Sequence, residues 1–169
     1  MSSPTHAVQT DKRLDVLFER LLATKDKFQA QKIEAAIWLI WVENNNEEIE
    51  NAMLHGIHAM RSGELELALV FFNKIVKLEP KFAEGSNKRA TVYYLLGKYD
   101  NSIEDIAQTL LLEPRHFGAL SGLGLVNRAI GRIDAAVIAF QKALEINPHL
   151  SGVKNALKLI KNLGKEKET

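Results

Sequence analysis

The chain has 169 residues, of which 46% are apolar and 25% are charged, and its formal net charge is +1. This length allows one compact domain or one short repeat array, and the small net charge favours neither nucleic acid nor an anionic membrane as a partner. The absence of cysteine excludes disulfides, thiol catalysis and cysteine-ligated zinc. The longest apolar run, residues 35–42, is far shorter than the roughly 18 residues of a membrane span.

The first nine residues are polar and contain Pro4, so residues 1–9 are expected to be disordered. The sequence as given shows no signal peptide, although Thr5-His6-Ala7 resembles the small-residue end of a leader. The compartment therefore stays open between cytoplasm and periplasm for a chain predicted to be soluble.

Residues 10–48 predict a pair of helices. The first begins after Thr10 or Asp11, either of which can cap it, and ends near Thr24. The second spans residues 27–43 and is apolar almost all round in its last two turns, so it needs cover on more than one side. The three asparagines 44–46 end it and cap the next helix. The expected apolar faces are Leu14, Leu17, Phe18, Leu21 and Leu22 in the first helix, and Phe28, Ile33, Ile37, Ile40, Trp38 and Trp41 in the second.

The next stretch repeats with a period of 34 residues, which Pro80, Pro114 and Pro148 mark. Gly63, Gly97 and Gly131 keep the same step, so the units span 49–82, 83–116 and 117–150. Each unit predicts two helices joined at its glycine and ended by its proline. Position 8 of each unit holds a small residue, which lets the two helices cross closely. Position 24 holds a large side chain that is expected to pack into the next unit as a wedge. These positions hold Gly56, Ala90 and Gly124, and then Phe72, Ile106 and Phe140.

Residues 151–164 predict a capping helix for the last unit. Leu150, Val153, Leu157 and Ile160 form its apolar stripe, while lysines and asparagines cover the other side. Gly164 is expected to end this helix, and residues 165–169 to form a disordered tail.

These residues resemble the tetratricopeptide repeat (TPR) family. The third unit fits best, because Gly124, Gly131, Ala136, Phe140 and Pro148 all fall on motif positions. The resemblance implies an all-α, right-handed α-solenoid of three TPR helix-turn-helix repeats, with an N-terminal helical pair and a C-terminal capping helix. The pair lacks the motif and is a candidate for a degenerate repeat. The stretches NKRATVYYLLGKY and LEPRHFGALSGLG are also similar to small bacterial TPR proteins of unsettled role.

The resemblance further implies a function. In TPR proteins the first helices of the repeats line a concave groove that holds a partner peptide, so we expect a non-enzymatic adaptor or scaffold that needs no cofactor. The predicted ligand has apolar side chains at one end and an acidic group near Lys88 or Arg128. The implied groove residues are Met53, Ile57, Met60, Asn87, Lys88, Thr91, Tyr94, Ser121, Leu125 and Arg128.

Two alternatives remain open at this point. In the first, the chain's own N-terminal helices, which are apolar enough, fill the groove. In the second, the apolar run at 35–42 is a contact surface, either between copies of a self-assembling subunit or in a periplasmic assembly or chaperone-like factor. An Hsp90-type co-chaperone role is disfavoured, because Met53 and Ile57 stand where the family's carboxylate clamp has Lys and Asn.

No set of side chains predicts catalysis or a metal site. His55 and His58 have a spacing that can share a metal, but no third ligand follows, so they are expected to be ordinary, partly buried histidines. His116 and His149 are expected to be solvated turn residues. Asp100, Glu104 and Asp105 are expected to form a solvated acidic strip.

Overall fold

The structure, a computed structural model, describes residues 11–166, and this part of the chain contains only α-helices. The all-α prediction is confirmed, whereas the predictions for residues 1–9 and 167–169 lie outside the described residues. The N-terminal pair is α1 (Lys12–Ala23) and α2 (Lys27–Val42). The helices that follow are α3 (Glu47–Arg61), α4 (Leu65–Leu78), α5 (Ala83–Leu95), α6 (Tyr99–Leu112), α7 (Phe117–Ala129), α8 (Ile133–Ile146) and α9 (Ser151–Glu166).

Side-chain caps start α1 and α3 as the sequence predicts, and Asp26 caps α2 as well. Asp11 accepts from the backbone N–H of Arg13, and Asn46 accepts from the N–H of Glu48. Phe28 corrects one part of the predicted face of α2, since its side chain is exposed. It lies in the first turn of α2, where Lys32 covers its ring at 4.4 Å.

Glycine makes each turn inside a repeat. Gly63, Gly97 and Gly131 have φ of 78°, 71° and 78°, a region that side chains disfavour. The residue after each glycine hydrogen-bonds back to the last turn of the first helix. For example, the N–H of Lys98 donates to the carbonyl of Tyr93 over 2.8 Å. The predicted turn geometry is confirmed.

The two helices of a repeat cross where the sequence predicts a small residue. A Cβ on Gly124 would lie 2.3 Å from the ring of Phe140, and one on Gly56 would lie 2.7 Å from the ring of Phe72. These phenylalanines therefore fill the notch in their own repeat. The predicted wedge into the next element is thus accompanied by a contact within the unit, for which the missing Cβ provides the space; Phe140 also lies in one core cluster with Val153 and Ala156 of α9.

Neighbouring repeats stack through the second helix of one repeat and the first helix of the next. α4 packs along α5, α6 along α7 and α8 along α9. Arg89 on α5 strengthens the stack, because its guanidinium holds both carboxylate oxygens of Asp105 at 2.7 Å and the amide oxygen of Asn73 at 2.9 Å. Asp105 is thus buried and paired, which corrects its expected place in a solvated strip.

The outer face of α3 is open. Asn51, His55 and His58 lie on it and are exposed, so the two histidines are not partly buried as predicted. The corresponding side chains of the later repeats are buried beneath the preceding helix, as at Val92 and Val126. α2 makes no comparable packing along α3. Neither helix of the N-terminal pair packs along α3 in the way that α4 packs along α5.

α9 covers the end of the third repeat with Val153 and Ala156. It continues to Glu166, through the predicted end at Gly164. Glycine inside a helix costs about 1 kcal/mol relative to alanine but keeps its N–H donor, so it permits the extra turn. Within residues 11–166, no helix is both long and apolar enough to cross a membrane.

Candidate peptide-binding groove

The N-terminal pair folds back across the repeats and contacts the loop that precedes each new first helix. At the loop of the first repeat, Asn44 donates to Glu79 over 2.8 Å. At the second, Arg115 pairs with Asp15 at 2.7 Å and lies over the ring of Phe18 at 4.6 Å. The pair therefore reaches beyond the first repeat, to which it is joined in sequence.

The loop of the third repeat makes the same kind of contact. The amide of Asn147 donates to Glu34 over 3.0 Å, and Nε2 of His149 lies 3.1 Å from the carbonyl oxygen of Leu21. α2 consequently runs against the order of the repeats, from the third loop at Glu34 to the first loop at Asn44. This path places the last two turns of α2 over the beginnings of α5 and α7.

Two aromatic side chains of α2 meet the repeats at this crossing. The indole of Trp41 stacks on the imidazole of His116, with ring centroids 4.0 Å apart. Trp38 lies one turn earlier, with Nζ of Lys88 at 4.9 Å from its ring centroid. A Cβ on Gly118 would come within 2.6 Å of the same indole, so only glycine leaves room for this ring.

A buried polar cluster lies under these rings. Nδ1 of His116 accepts from the backbone N–H of Ala119 over 3.0 Å, which leaves the proton on Nε2. Nε2–H then donates to Glu84 over 2.9 Å, and Glu84 also accepts from Asn87 and pairs with Lys88. Both His116 and Glu84 are fully buried. Every donor and acceptor of this cluster belongs either to α5 or to α7 and its N-cap, His116.

The charge of Glu84 is stabilised in place. Burial alone raises the pKa of this carboxyl, but the Lys88 ammonium and the hydrogen bond from His116 outweigh burial and hold the pKa below its ordinary value. The cluster is therefore a compensated site, with an anion at its centre and a cation at its edge.

The predicted groove residues fall into two groups of five according to how near they lie to the N-terminal pair. Met53 and Asn87 are buried, Lys88 is taken up by Glu84 and Trp38, and Ile57 and Met60 pack on the core that the pair shares with the first repeat. We call this region the covered half of the groove. Of these five side chains, Met53 and Asn87 are buried, whereas Ile57, Met60 and Lys88 stay partly exposed beside the N-terminal pair.

The other five predicted residues lie farther along the first helices, in what we call the open half. Thr91 is exposed, and Tyr94, Ser121, Leu125 and Arg128 are partly exposed. Thr91 and Ser121 bond backbone carbonyls of their own helices, and Tyr94 contacts Tyr99 at 6.0 Å. Among residues 11–166, the guanidinium of Arg128 has no ion-pair partner.

Sequence reasoning missed the role of His116, which is fully buried instead of solvated. His149 is half-buried for the same reason, because the N-terminal pair covers both loops. One signal was available in the repeat alignment. The last position of each unit holds Phe82, His116 and Leu150, and two apolar residues there indicate a covered position.

The apolar run at 35–42 faces mostly inward. Ile37, Ile40 and Trp41 are buried, and only Ala35 and Leu39 of this run are exposed. Ala35 and Trp38 border a cleft of about 480 Å³ between α2 and the start of α9. Most of the run's apolar surface is thus used within the chain. Within residues 11–166, no three His, Asp or Glu side chains group as a metal site.

Known proteins resemble this arrangement. A tetratricopeptide repeat model matches residues 87–151. In fold, the TPR domain of Sgt2 from Aspergillus fumigatus has a TM-score of 0.68 at 22% identity, over 73% of this chain and 83% of that domain. The first TPR domain of Spaghetti (RPAP3), bound to an HSP90 peptide, has a TM-score of 0.67 at 19% identity, over 70% of this chain and 94% of that domain.

In sequence, a TPR repeat-containing protein of Rhizobium etli is 35% identical over 136 residues, which are 80% of this chain and 67% of the relative. This relative comes from a bacterium, in line with the resemblance to small bacterial TPR proteins. The chain belongs to the tetratricopeptide repeat family.

Proposed function

We propose that this protein is a non-enzymatic adaptor that binds a segment of a partner protein along the open half of its groove. The observation that carries the proposal is the guanidinium of Arg128, which is partly exposed on α7 and has no ion-pair partner among the described residues, while Tyr94 and Leu125 are partly exposed on α5 and α7. A structural neighbour bound to an HSP90 peptide supports peptide binding by this fold. The carboxylate clamp is not part of the proposal, because Met53 and Ile57 replace its Lys and Asn.

The side chains of the open half define the ligand. Arg128 has no carboxylate partner among the described residues, whereas Lys88 already has Glu84. An acidic side chain of the ligand therefore belongs near Arg128. Tyr94 and Leu125 offer partly exposed apolar surface for one or two apolar side chains, and Tyr and Arg are frequent anchors of interfaces. The proposed ligand is a short acidic segment that also carries apolar residues.

Selection from a displayed peptide library tests this function. We expect the selected peptides to combine Asp or Glu with a large apolar residue. Arg128→Glu should weaken their binding at least about tenfold, because it places two like charges together. Arg132→Glu is the matched control, since it makes the same charge reversal at an exposed position in the turn after α7. Equal binding to both variants and to the unmodified protein would refute the open half as the binding surface.

A further inference from the structure

We propose that α2 is a displaceable occupant of the covered half, and that this half binds a partner's amphipathic helix carrying two aromatic side chains one turn apart. The proposal deepens the proposed function by naming a second class of ligand for the same groove. α2 itself shows the recognition chemistry: one ring stacks flat on His116, and the other lies beside Gly118 and Lys88.

The receptor surface does not depend on α2 for its hydrogen bonds. His116 and Asn87 donate to Oε2 of Glu84, Nδ1 of His116 accepts from Ala119, and Lys88 forms an ion pair with Oε1 of Glu84. All of these contacts lie within the repeats. α2 contributes only rings to this cluster. A surface that is already organised before its ligand arrives loses little entropy on binding, and one aromatic helix can replace another on it.

α2 is an imperfect ligand for this surface. The indole N–H of Trp41 is buried and has no acceptor among the described residues. Leaving a buried donor unpaired is unfavourable. A partner helix with phenylalanine at this place fills the same position without that cost, which favours exchange.

The attachment of the pair also permits release. α2 does not pack along α3, although only residues 43–46 separate the two helices. In the ion pair that holds α1 to the second loop, Asp15 is exposed and Arg115 is partly exposed. A pair that water reaches in this way contributes little to stability. The obstacles to a partner are the buried side chains of the pair, such as Leu21 and Ile37, and the high effective concentration of the tethered pair, on the order of millimolar for a short linker.

A reversible covalent bridge tests the exchange. The chain has no cysteine, so D15C/R115C introduces the only two thiols. A short reducible bis-maleimide joins them and holds α1 on the second loop. The probe is a fluorescent synthetic peptide of residues 24–46. E48C/K74C is the matched control, because Glu48 and Lys74 form an exposed ion pair at 2.8 Å within the first repeat.

We expect unbridged D15C/R115C to bind the peptide about two- to fivefold more tightly than the unmodified protein, as the loss of one weak ion pair allows. Bridging should abolish this binding, and reduction should restore it. The control should bind equally before and after bridging. A peptide with Trp38→Ala and Trp41→Ala should not bind, and one with Trp41→Phe should bind at least as tightly as the natural sequence.

Two results would overturn the proposal. One is peptide binding that bridging leaves unchanged, or no gain in binding by the unbridged variant while its helical circular dichroism is intact. The other is dimerisation of that variant without peptide binding, which would make a second copy the occupant. Arg128→Glu should leave this peptide's binding unchanged, so the proposed function and the exchange can fail separately.

Discussion

The imidazole of His116 lies flat against the indole of Trp41, with ring centroids 4.0 Å apart and an angle of 11° between the planes. The same imidazole caps α7 through Ala119 and donates to the buried carboxylate of Glu84. One side chain therefore joins the N-terminal pair to the first helices of two repeats. Stability and groove occupancy both depend on this residue.

His116→Ala should lower the free energy of unfolding by about 2–4 kcal/mol, since it removes a helix cap, a partner of Glu84 and a stacked ring together. Urea unfolding followed by circular dichroism measures the change. His58→Ala is the control, because His58 is exposed on α3 and its loss should cost less than about 0.5 kcal/mol. Similar losses for the two variants would contradict the cluster's role.

Glu84→Gln should change how stability depends on pH. Burial alone raises the pKa of Glu84, but Lys88 and His116 hold it below its ordinary value of 4.5. A carboxylate with a lower pKa in the folded state stabilises the fold above its unfolded pKa, and this contribution is lost as the pH falls through the folded pKa.

The variant should therefore be less stable than the unmodified protein by about 1–3 kcal/mol near pH 7, and the difference should shrink by about pH 3. Urea unfolding at both values measures it. Glu104→Gln, at an exposed position of α6, should show no such trend. A difference for Glu84→Gln that is independent of pH would mean that its charge is not the stabilising element.

The repeats were predictable because their signals are local and periodic. Gly97 sets a turn that requires positive φ, and Gly124 marks a helix crossing, wherever the rest of the chain lies. Three units in the same phase then fix the stacking. The bounds of the helices followed from caps and prolines within one or two residues, apart from the extension of α9 past Gly164.

The position of the N-terminal pair was not predictable from its own pattern. An apolar α2 indicates that it is covered but not by which surface, because the hydrophobic effect has no direction. The decisive signal lies in α3. Asn51, His55 and His58 occupy the face on which a preceding repeat would stack, and polar residues there indicate an open end. With that face unavailable to an apolar helix, the groove remains as the larger apolar surface.

The pair of Arg89 with Asp105 should contribute more than any exposed ion pair. Its side chains are only 20% and 8% exposed, and it has two short hydrogen bonds. Asp105→Ala should cost about 2–4 kcal/mol, because Arg89 would keep only Asn73 as a partner in a partly buried place.

Glu48→Ala, which breaks the exposed pair with Lys74, is the control and should cost about 0–1 kcal/mol. Thermal unfolding of the single variants and of the double variant Arg89→Ala/Asp105→Ala gives the coupling energy. If the stability lost by the double variant equals the sum of the losses of the two single variants, the two residues act independently.

Gly124→Ala should destabilise the third repeat by about 1–3 kcal/mol, because its Cβ would lie 2.3 Å from the buried ring of Phe140. Gly152→Ala meets nothing within 4 Å and should be neutral or stabilise by up to about 1 kcal/mol. Urea unfolding compares them. In a Phe140→Leu background, Gly124→Ala should cost less, since the smaller side chain frees the notch. An equal cost in both backgrounds would show that the loss arises elsewhere than at this crossing.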